Sequence, residues 1–192
     1  MDSAVTAGSA GSAAAPRGAG RLLLPAAAGA VVAVAIGVVS AHHHHGKLTF
    51  YLGFSTLFAM KVWLATGVGV LALLQLFSAL WMWRRLPLGP PPRWIGTAHR
   101  ATGTLAFLVS VPVAYACLYV LGFQHYSPRV LAHSLLGCLF YGAFVTKVLT
   151  LHSRRLPRWA LPVVGGVLFT AVIAVVLTSA VYTLATEGSP GY

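Results

Sequence analysis

The chain has 192 residues, of which 58% are hydrophobic and only 8% are charged. This balance, with a mean hydropathy of +0.81, excludes a water-soluble domain and indicates a membrane protein of one domain. The net charge of +11 does not indicate nucleic-acid binding, because most basic residues cluster at the ends of apolar runs. Asp2 and Glu187 are the only acidic residues, which excludes hydrolysis by paired carboxylates.

The N-terminal part of the chain predicts a tail followed by a first membrane span. Residues 1–21 are rich in Ala, Gly and Ser and lack hydrophobic periodicity, so a disordered tail is expected. The apolar run 22–41 is long enough to cross a bilayer. The alternative is a signal peptide cleaved near Ser40. Small residues recur in this run at the spacing that lets another helix approach closely: Gly29, Ala33 and Gly37.

A run of four histidines follows the first span: His42, His43, His44 and His45. Imidazole suits copper and zinc, but adjacent residues in a loop do not define a coordination geometry. The run is therefore a weak metal-site candidate.

Four further apolar runs predict the remaining spans, at residues 57–83, 97–122, 129–151 and 159–184. A loop with four prolines separates the second from the third, and residues 185–192 form a polar C-terminal tail. We expect an all-α bundle of five transmembrane helices within residues 22–184, with the last four as its core.

The distribution of basic residues predicts the orientation of the bundle. One side of the predicted membrane carries nine arginines: Arg17, Arg21, Arg84, Arg85, Arg93, Arg100, Arg154, Arg155 and Arg158. Only Lys47 and Arg129 lie in the segments on the other side. By the positive-inside rule, a multi-pass protein of the cell membrane with its N-terminus inside and its C-terminus outside is expected.

A short pattern occurs twice, near the starts of the third and fourth spans: AHRATGTLAF (98–107) and AHSLLGCLFY (132–141). It pairs His99 with Gly103, and His133 with Gly137. Residues four apart share a helix face, so each glycine would leave a gap for a flat ring beside the imidazole. Facing helices that carry imidazole hold b-type haem, so both histidines are candidate haem ligands. The alternative is a hydrogen bond between helices.

The two histidines cannot bind the same iron. His99 and His133 are expected near opposite faces of the membrane, about 30 Å apart along the helix axis. A second ligand would be His152 on the inner side, and His125 or one of residues 42–45 on the outer side. His152 and His125 also fit as solvated residues. Two haem sites stacked in this way would pass electrons across the bilayer.

Two lysines lie inside apolar spans, Lys61 towards the outer face and Lys147 towards the inner face. An intramembrane charge costs about 2.5–3.5 kcal/mol on insertion scales, and no span contains an acidic partner. A haem propionate, a lipid phosphate or a quinone oxygen would serve as the partner, and snorkelling to the interface is the alternative.

Other polar residues in the spans would line a pocket or bond between helices: Gln75, Ser78, Ser110, Tyr115 and Tyr141. Cys117 and Cys138 lie in apolar runs, as small core residues or at most a thiol pair.

Four segments carry a resemblance to known proteins: LFAMKVWLATG (57–67), ALWMWRRLP (79–87), SVPVAYACLYVLGF (110–123) and HSLLGCLFYGAFVTKVL (133–149). On these segments the chain resembles a family of uncharacterised five-span proteins from high-GC bacteria, over roughly residues 49–183. More loosely, its histidine-bearing helices look like the cytochrome b561 and ferric-reductase group, whose members hold b-type haem between membrane helices and move electrons across them. The first family often has a histidine where this chain has Ala116. The resemblance therefore implies a second haem ligand near the outer face at this position, and this chain lacks it.

Three hypotheses for function follow. The first is a b-type cytochrome-like electron-transfer protein, as a component of a membrane oxidoreductase, with haem b at His99 and His133 and with a redox partner or a quinone. The second is a cofactor-free accessory subunit that stabilises a membrane complex. The third, a metal-ion transporter fed by residues 42–45, is disfavoured because the spans lack acidic residues to carry a cation.

Overall fold

The structure is a computed structural model that describes residues 19–43, 46–153 and 156–191. Five helices within these ranges are long and apolar enough to cross a membrane. The predictions for residues 1–18 and for the C-terminal Tyr192, and the positions of His44, His45, Arg154 and Arg155, lie outside the described residues.

The five helices are α1 (Leu23–His42), α2 (Leu57–Met82), α3 (Ile95–Leu121), α4 (Pro128–His152) and α5 (Ala160–Thr186). The five predicted spans are thus confirmed as helices, and their ends differ from the prediction by two residues at most. A 3₁₀ turn, Ala19–Leu22, leads into α1. Residues 19–21, predicted as part of the disordered tail, therefore belong to the start of the helical domain.

Side-chain caps fix where two of the helices begin. The Thr56 hydroxyl accepts a hydrogen bond from the Ala59 N–H at 3.0 Å, and the Ser127 hydroxyl accepts one from the Val130 N–H at 3.3 Å. Each cap satisfies one N–H that has no partner within the helix. Pro128, in the first turn of α4, has no N–H that would need a partner.

Helices α2 to α5 form an up-and-down four-helix bundle, and α1 packs on its outside. α2 packs against α3 and α5, while α4 packs against α5 and α1. α3 and α4 meet through side chains, including the rings of Phe107 and Phe144, which stack with centroids 4.1 Å apart. The end of the bundle where α1, α3 and α5 begin is called the basic end, and the other is called the opposite end.

The contact between α1 and α4 depends on small residues. A Cβ atom on Gly142 would lie 2.5 Å from the Gly29 carbonyl oxygen and 2.9 Å from the Ala33 Cβ. The Thr146 hydroxyl donates a hydrogen bond to the Pro25 carbonyl at 3.2 Å. The small-residue spacing predicted for the first span therefore serves a close helix contact, and α1 is the added span that the sequence indicated.

Two helices widen near the opposite end. The last six residues of α3, Ala116–Leu121, are π-helical, and α5 contains a π-helical segment, Leu177–Val181, before its last turn. Short π-helical segments occur often at functional sites, because they shift side chains and free backbone carbonyls.

Candidate functional site

The polar residues inside the bundle form two groups, one near each end. The basic-end cluster consists of Gln75, Ser78, His99 and Thr102, which are joined by hydrogen bonds. The second group lines a cavity near the opposite end and includes Lys61, Arg129, His133 and Tyr141. The structure thus places His133 and Lys61 on the wall of one cavity and His99 in the other group, while Lys147 of α4 is partly exposed.

In the basic-end cluster, His99 bonds to a hydroxyl of the neighbouring helix. Its Nδ1 lies 2.7 Å from Ser78 Oγ, and Ser78 Oγ lies 2.8 Å from the Leu74 carbonyl oxygen. The carbonyl can only accept, so the hydroxyl donates its proton there and accepts from the ring. This pattern favours a proton on His99 Nδ1.

Gln75 fills the gap that the sequence predicted beside Gly103. A Cβ atom on Gly103 would lie 3.0 Å from Gln75 Oε1. The Gln75 amide is held there because its Nε2 donates to the His99 carbonyl oxygen and to Thr102 Oγ1, both at 2.6 Å. The structure therefore has no ring-sized space next to Gly103.

At the opposite end, Thr178 positions both His133 and Arg129. Thr178 Oγ1 lies 3.2 Å from His133 Nδ1 and donates its own proton to the Ala174 carbonyl at 2.7 Å. Because that carbonyl can only accept, the hydroxyl accepts from His133 Nδ1. The Thr178 carbonyl, in the π-helical segment, accepts from Arg129 Nη1 at 2.6 Å. The Arg129 guanidinium also lies 3.9 Å from the centroid of the Tyr182 ring.

A cavity of about 370 Å³ lies in this half of the bundle. Its walls are mostly apolar, and its polar side chains come from all five helices, since Ser40 of α1 and Ser110 of α3 also contribute. Both π-helical segments contribute walls. A pocket of this size, with an apolar lining and a few convergent polar groups, is typical of a small-molecule site.

The cavity includes the open gap beside Gly137. No atom lies within 4 Å of the position that a Cβ atom on Gly137 would take. Of the two gaps that the repeated pattern predicted, the structure therefore leaves the one at Gly137 open and fills the one at Gly103.

A hydroxyl pair and a layer of aromatic rings close the cavity towards the basic end. Tyr141 donates to the Ser110 carbonyl at 3.1 Å, and the two side-chain oxygens are 3.0 Å apart. Beyond this pair, the Phe107 ring packs between those of Tyr141 and Phe144. The rings separate the cavity from the basic-end cluster.

Two cavity groups lack hydrogen-bond partners within the described ranges. Ser40 is only 3% exposed, and its hydroxyl has no partner. No hydrogen bond to Lys61 is found there, and the one acidic side chain that lines the cavity, Glu187, is not within ion-pair distance of it. Buried polar groups are normally satisfied, so the Ser40 hydroxyl indicates one place where a bound molecule would make contact, and the partly exposed Lys61 ammonium offers further donors.

Other predicted residues lie away from both groups. His152 is exposed and its Nδ1 bonds to the Val148 carbonyl of its own helix at 2.8 Å, so it does not approach His99. His42 bonds in the same way to the Val38 carbonyl, and the His43 ring packs on Tyr119. Among the described residues, no three His, Cys, Asp or Glu side chains come together as a metal site.

Ala116 is fully buried at the start of the π-helical segment of α3. This is the position where the resemblance implies a second outer histidine. His133 is thus the only histidine on the wall of the cavity, as far as the chain is described.

Three residues of the site were not proposed from the sequence: Ser40, Arg129 and Thr178. In the sequence Arg129 is a loop charge next to the predicted fourth span, and Thr178 lies within an apolar run. A hydroxyl in a span at the depth of His133 is the signal that would have identified Thr178.

Fold and cavity together define a bundle of five helices, each long and apolar enough to cross a membrane, with a mostly apolar cavity in one half. The chain belongs to a family of unknown function, DUF6529, which it matches over residues 22–191. This confirms the prediction that the chain belongs to a family of uncharacterised proteins. No curated protein and no solved structure matches the chain, so the similarity to the cytochrome b561 group stays a prediction.

Proposed function

We propose that the chain is a membrane-embedded electron-transfer protein, or a subunit of one, whose redox-active ligand binds in the cavity near the opposite end. The observation that carries this proposal is the His133 imidazole on the wall of the cavity, whose Nδ1 is held by Thr178, together with the open gap one turn away at Gly137. A metal-ligating histidine has the same arrangement, with one nitrogen held by a second residue and the other left to bind.

The residues at the two ends differ in how well they fit a haem. At His99 the Gln75 amide takes the space where the ring would lie, so haem does not fit there. At His133 there is room beside Gly137, and His133 would be the iron ligand, while Lys61 on the same cavity wall would pair with a propionate. A b-type haem would supply one-electron chemistry at this site. Of the two stacked haem sites that the sequence predicted, we therefore propose only the one at His133.

Spectroscopy of the purified full-length chain tests this proposal. A haem at His133 predicts a Soret band and a dithionite-reduced α band that are lost in His133→Ala and retained in His99→Ala. Extraction of the same samples with organic solvent detects a retained quinone. Protein from haem-replete cells that carries neither haem nor quinone would contradict electron transfer.

A cofactor-free accessory subunit is the second candidate. It is favoured by the fact that both intramembrane histidines bond to hydroxyls of a neighbouring helix, Ser78 for His99 and Thr178 for His133. Such bonds stabilise a helix bundle without any ligand, by about 0.6 kcal/mol on average. On this proposal, deletion of the chain would destabilise a partner complex, and His133→Asn, which keeps a hydrogen-bonding side chain, would leave that complex intact.

We also propose that the basic end faces the cytoplasm. Arg84, Arg85 and Arg93 lie at the basic end, whereas Lys47 and Arg129 lie at the other. Reporter fusions at the C-terminus test this orientation, because an alkaline phosphatase fused there would be active outside the cell and a green fluorescent protein would not be fluorescent.

A further inference from the structure

The cavity contains a flat slot between two polar ends on a single face of α4. His133, Gly137 and Tyr141 are spaced four residues apart, so they follow one another along the same face, one turn apart. All three line the cavity, and Gly137 has no neighbouring atom within 4 Å of its missing Cβ. A flat ring lying over Gly137 would therefore have His133 at one edge and Tyr141 at the other.

Each end of the slot offers hydrogen-bonding groups to a ligand oxygen. At one end, Lys61 supplies N–H donors that have no hydrogen-bond partner in the described chain, and the His133 ring, held at Nδ1 by Thr178, lies on the same cavity wall. At the other end, the Tyr141 and Ser110 hydroxyls lie 3.0 Å apart, and each donates to a backbone carbonyl, that of Ser110 at 3.1 Å and that of Phe107 at 2.7 Å. Both oxygens can accept from a ligand hydroxyl as they stand, and either hydroxyl donates to a ligand carbonyl when it exchanges its backbone acceptor for the ligand.

This pattern excludes several ligands. A sterol with a single hydroxyl, or a purely aliphatic molecule, would leave one polar end without a partner. A lipid phosphate would need clustered cations, but Arg129 is already engaged by the Thr178 carbonyl and the Tyr182 ring. Haem would use His133 and Lys61 but has no polar atom for the Tyr141 end, unless a propionate lies there.

We infer that the cavity binds the ring of a membrane quinone over Gly137, with one ring oxygen at His133 and Lys61 and the other at Ser110 and Tyr141. A para-quinone is flat, carries an oxygen at each end, and exchanges carbonyls for hydroxyls when it is reduced to the quinol. The inference rests on the proposed electron-transfer function and names the substrate class of the same site. The unpartnered Ser40 hydroxyl, on the cavity wall, is available to a further oxygen substituent.

Two native cysteines provide the reporter for a binding experiment. Cys117 is partly exposed and Cys138 is buried, and both line the cavity. Their alkylation by a maleimide, followed by mass spectrometry of the full-length protein in phosphatidylcholine nanodiscs, reports whether the cavity is filled. The probes are a benzoquinone and a methyl-naphthoquinone that carry the same short alkyl tail. Their rings are fully substituted at the reactive positions, which prevents addition of the thiols to the quinone.

Saturating quinone is expected to slow the alkylation of Cys117 at least fivefold in the wild-type protein. Gly137→Leu places a side chain in the slot and is expected to abolish this protection. Gly165→Leu is the matched control, because Gly165 also has no neighbour within 4 Å and does not line the cavity. Lys61→Met removes a charged hydrogen-bond donor and is expected to weaken quinone binding about tenfold.

The outcomes separate the ligand from the function. Quinone that gives no protection in wild type, or equal protection in Gly137→Leu, overturns the inference. Protection by phosphatidylglycerol in the nanodisc but not by quinone overturns it in favour of a lipid headgroup. If haem bands are present and quinone gives no protection, electron transfer stands and the quinone assignment falls. If haem, bound quinone and protection are all absent, both proposals fall.

Discussion

The contact between α1 and α4 gives the sharpest test of the fold, through the variant Gly142→Leu. A Cβ atom at this position would lie 2.5 Å from the Gly29 carbonyl oxygen, while ordinary van der Waals contact begins at 3.4 Å. The two helices would have to separate by about 1 Å, a gap that forfeits a quarter to a half of each dispersion contact. Overpacking of this kind costs about 1–3 kcal/mol, which lowers the ratio of docked to undocked α1 about 5- to 150-fold.

An engineered disulfide measures this docking directly. A Cβ atom on Gly37 would lie 3.6 Å from Cys138 Sγ, close enough for Gly37→Cys to form a disulfide with Cys138. Cys117→Ser in the background leaves a single partner. The rate of disulfide formation in membranes under mild oxidant then reports the docked population, and it is expected to fall when Gly142→Leu is added.

The control is Gly67→Leu in the same background, because Gly67 has no neighbour within 4 Å. Its disulfide rate should equal that of the parent protein. Equal rates in Gly142→Leu and in the parent would refute the close α1–α4 contact. Absence of the disulfide in the parent itself would refute the docking of α1 and favour a first span that is removed.

Three further predictions concern the polar groups. Gln75→Ala opens the gap beside Gly103 and removes two hydrogen bonds, so it should lower the free energy of unfolding of the detergent-solubilised protein by about 1–3 kcal/mol. Gln75→Glu also loses the amide donors but keeps the size of the side chain, so it separates the loss of the hydrogen bonds from the loss of packing. Thr178→Val removes the acceptor for His133 and should weaken ligand retention about tenfold, whereas Thr178→Ser should keep it; equal retention in the two variants would contradict the positioning role. Lys147→Met removes an intramembrane charge without a carboxylate partner and should favour membrane insertion by up to about 3 kcal/mol in a glycosylation-based insertion assay, and reduced insertion would show that the ammonium is needed.

The bundle could be predicted from the sequence because hydropathy and length dominate in a membrane. The five spans were placed to within two residues, since a helix is the only structure that satisfies the backbone of such a run in hydrocarbon. The spacing of Gly29, Ala33 and Gly37 predicted a close contact, and the structure supplies Gly142 of α4 as the partner. The spacing of small residues in α1 does not itself identify α4 as the helix that packs against it.

The site could be predicted only in part, because neighbours decide what a motif does. The two His-x-x-x-Gly patterns are equivalent in the sequence, but Gln75 of α2 fills the gap at Gly103 and no side chain fills the gap at Gly137. The π-helical segments also have no clear local signal, since Ala116–Leu121 reads as an ordinary apolar stretch. Their effect, which is to present the Thr178 carbonyl to Arg129, depends on how α4 and α5 pack.

The shallow position of Lys61 has an electrical consequence. Lys61 is the fifth residue of α2 from the opposite end, about 6 Å into a hydrocarbon layer of about 30 Å. A charge bound beside it crosses roughly a fifth of the transmembrane voltage, so a potential of 100 mV changes its binding free energy by only about 0.5 kcal/mol. The affinity of Lys61 for an anion should therefore change only about twofold when the cell is energised.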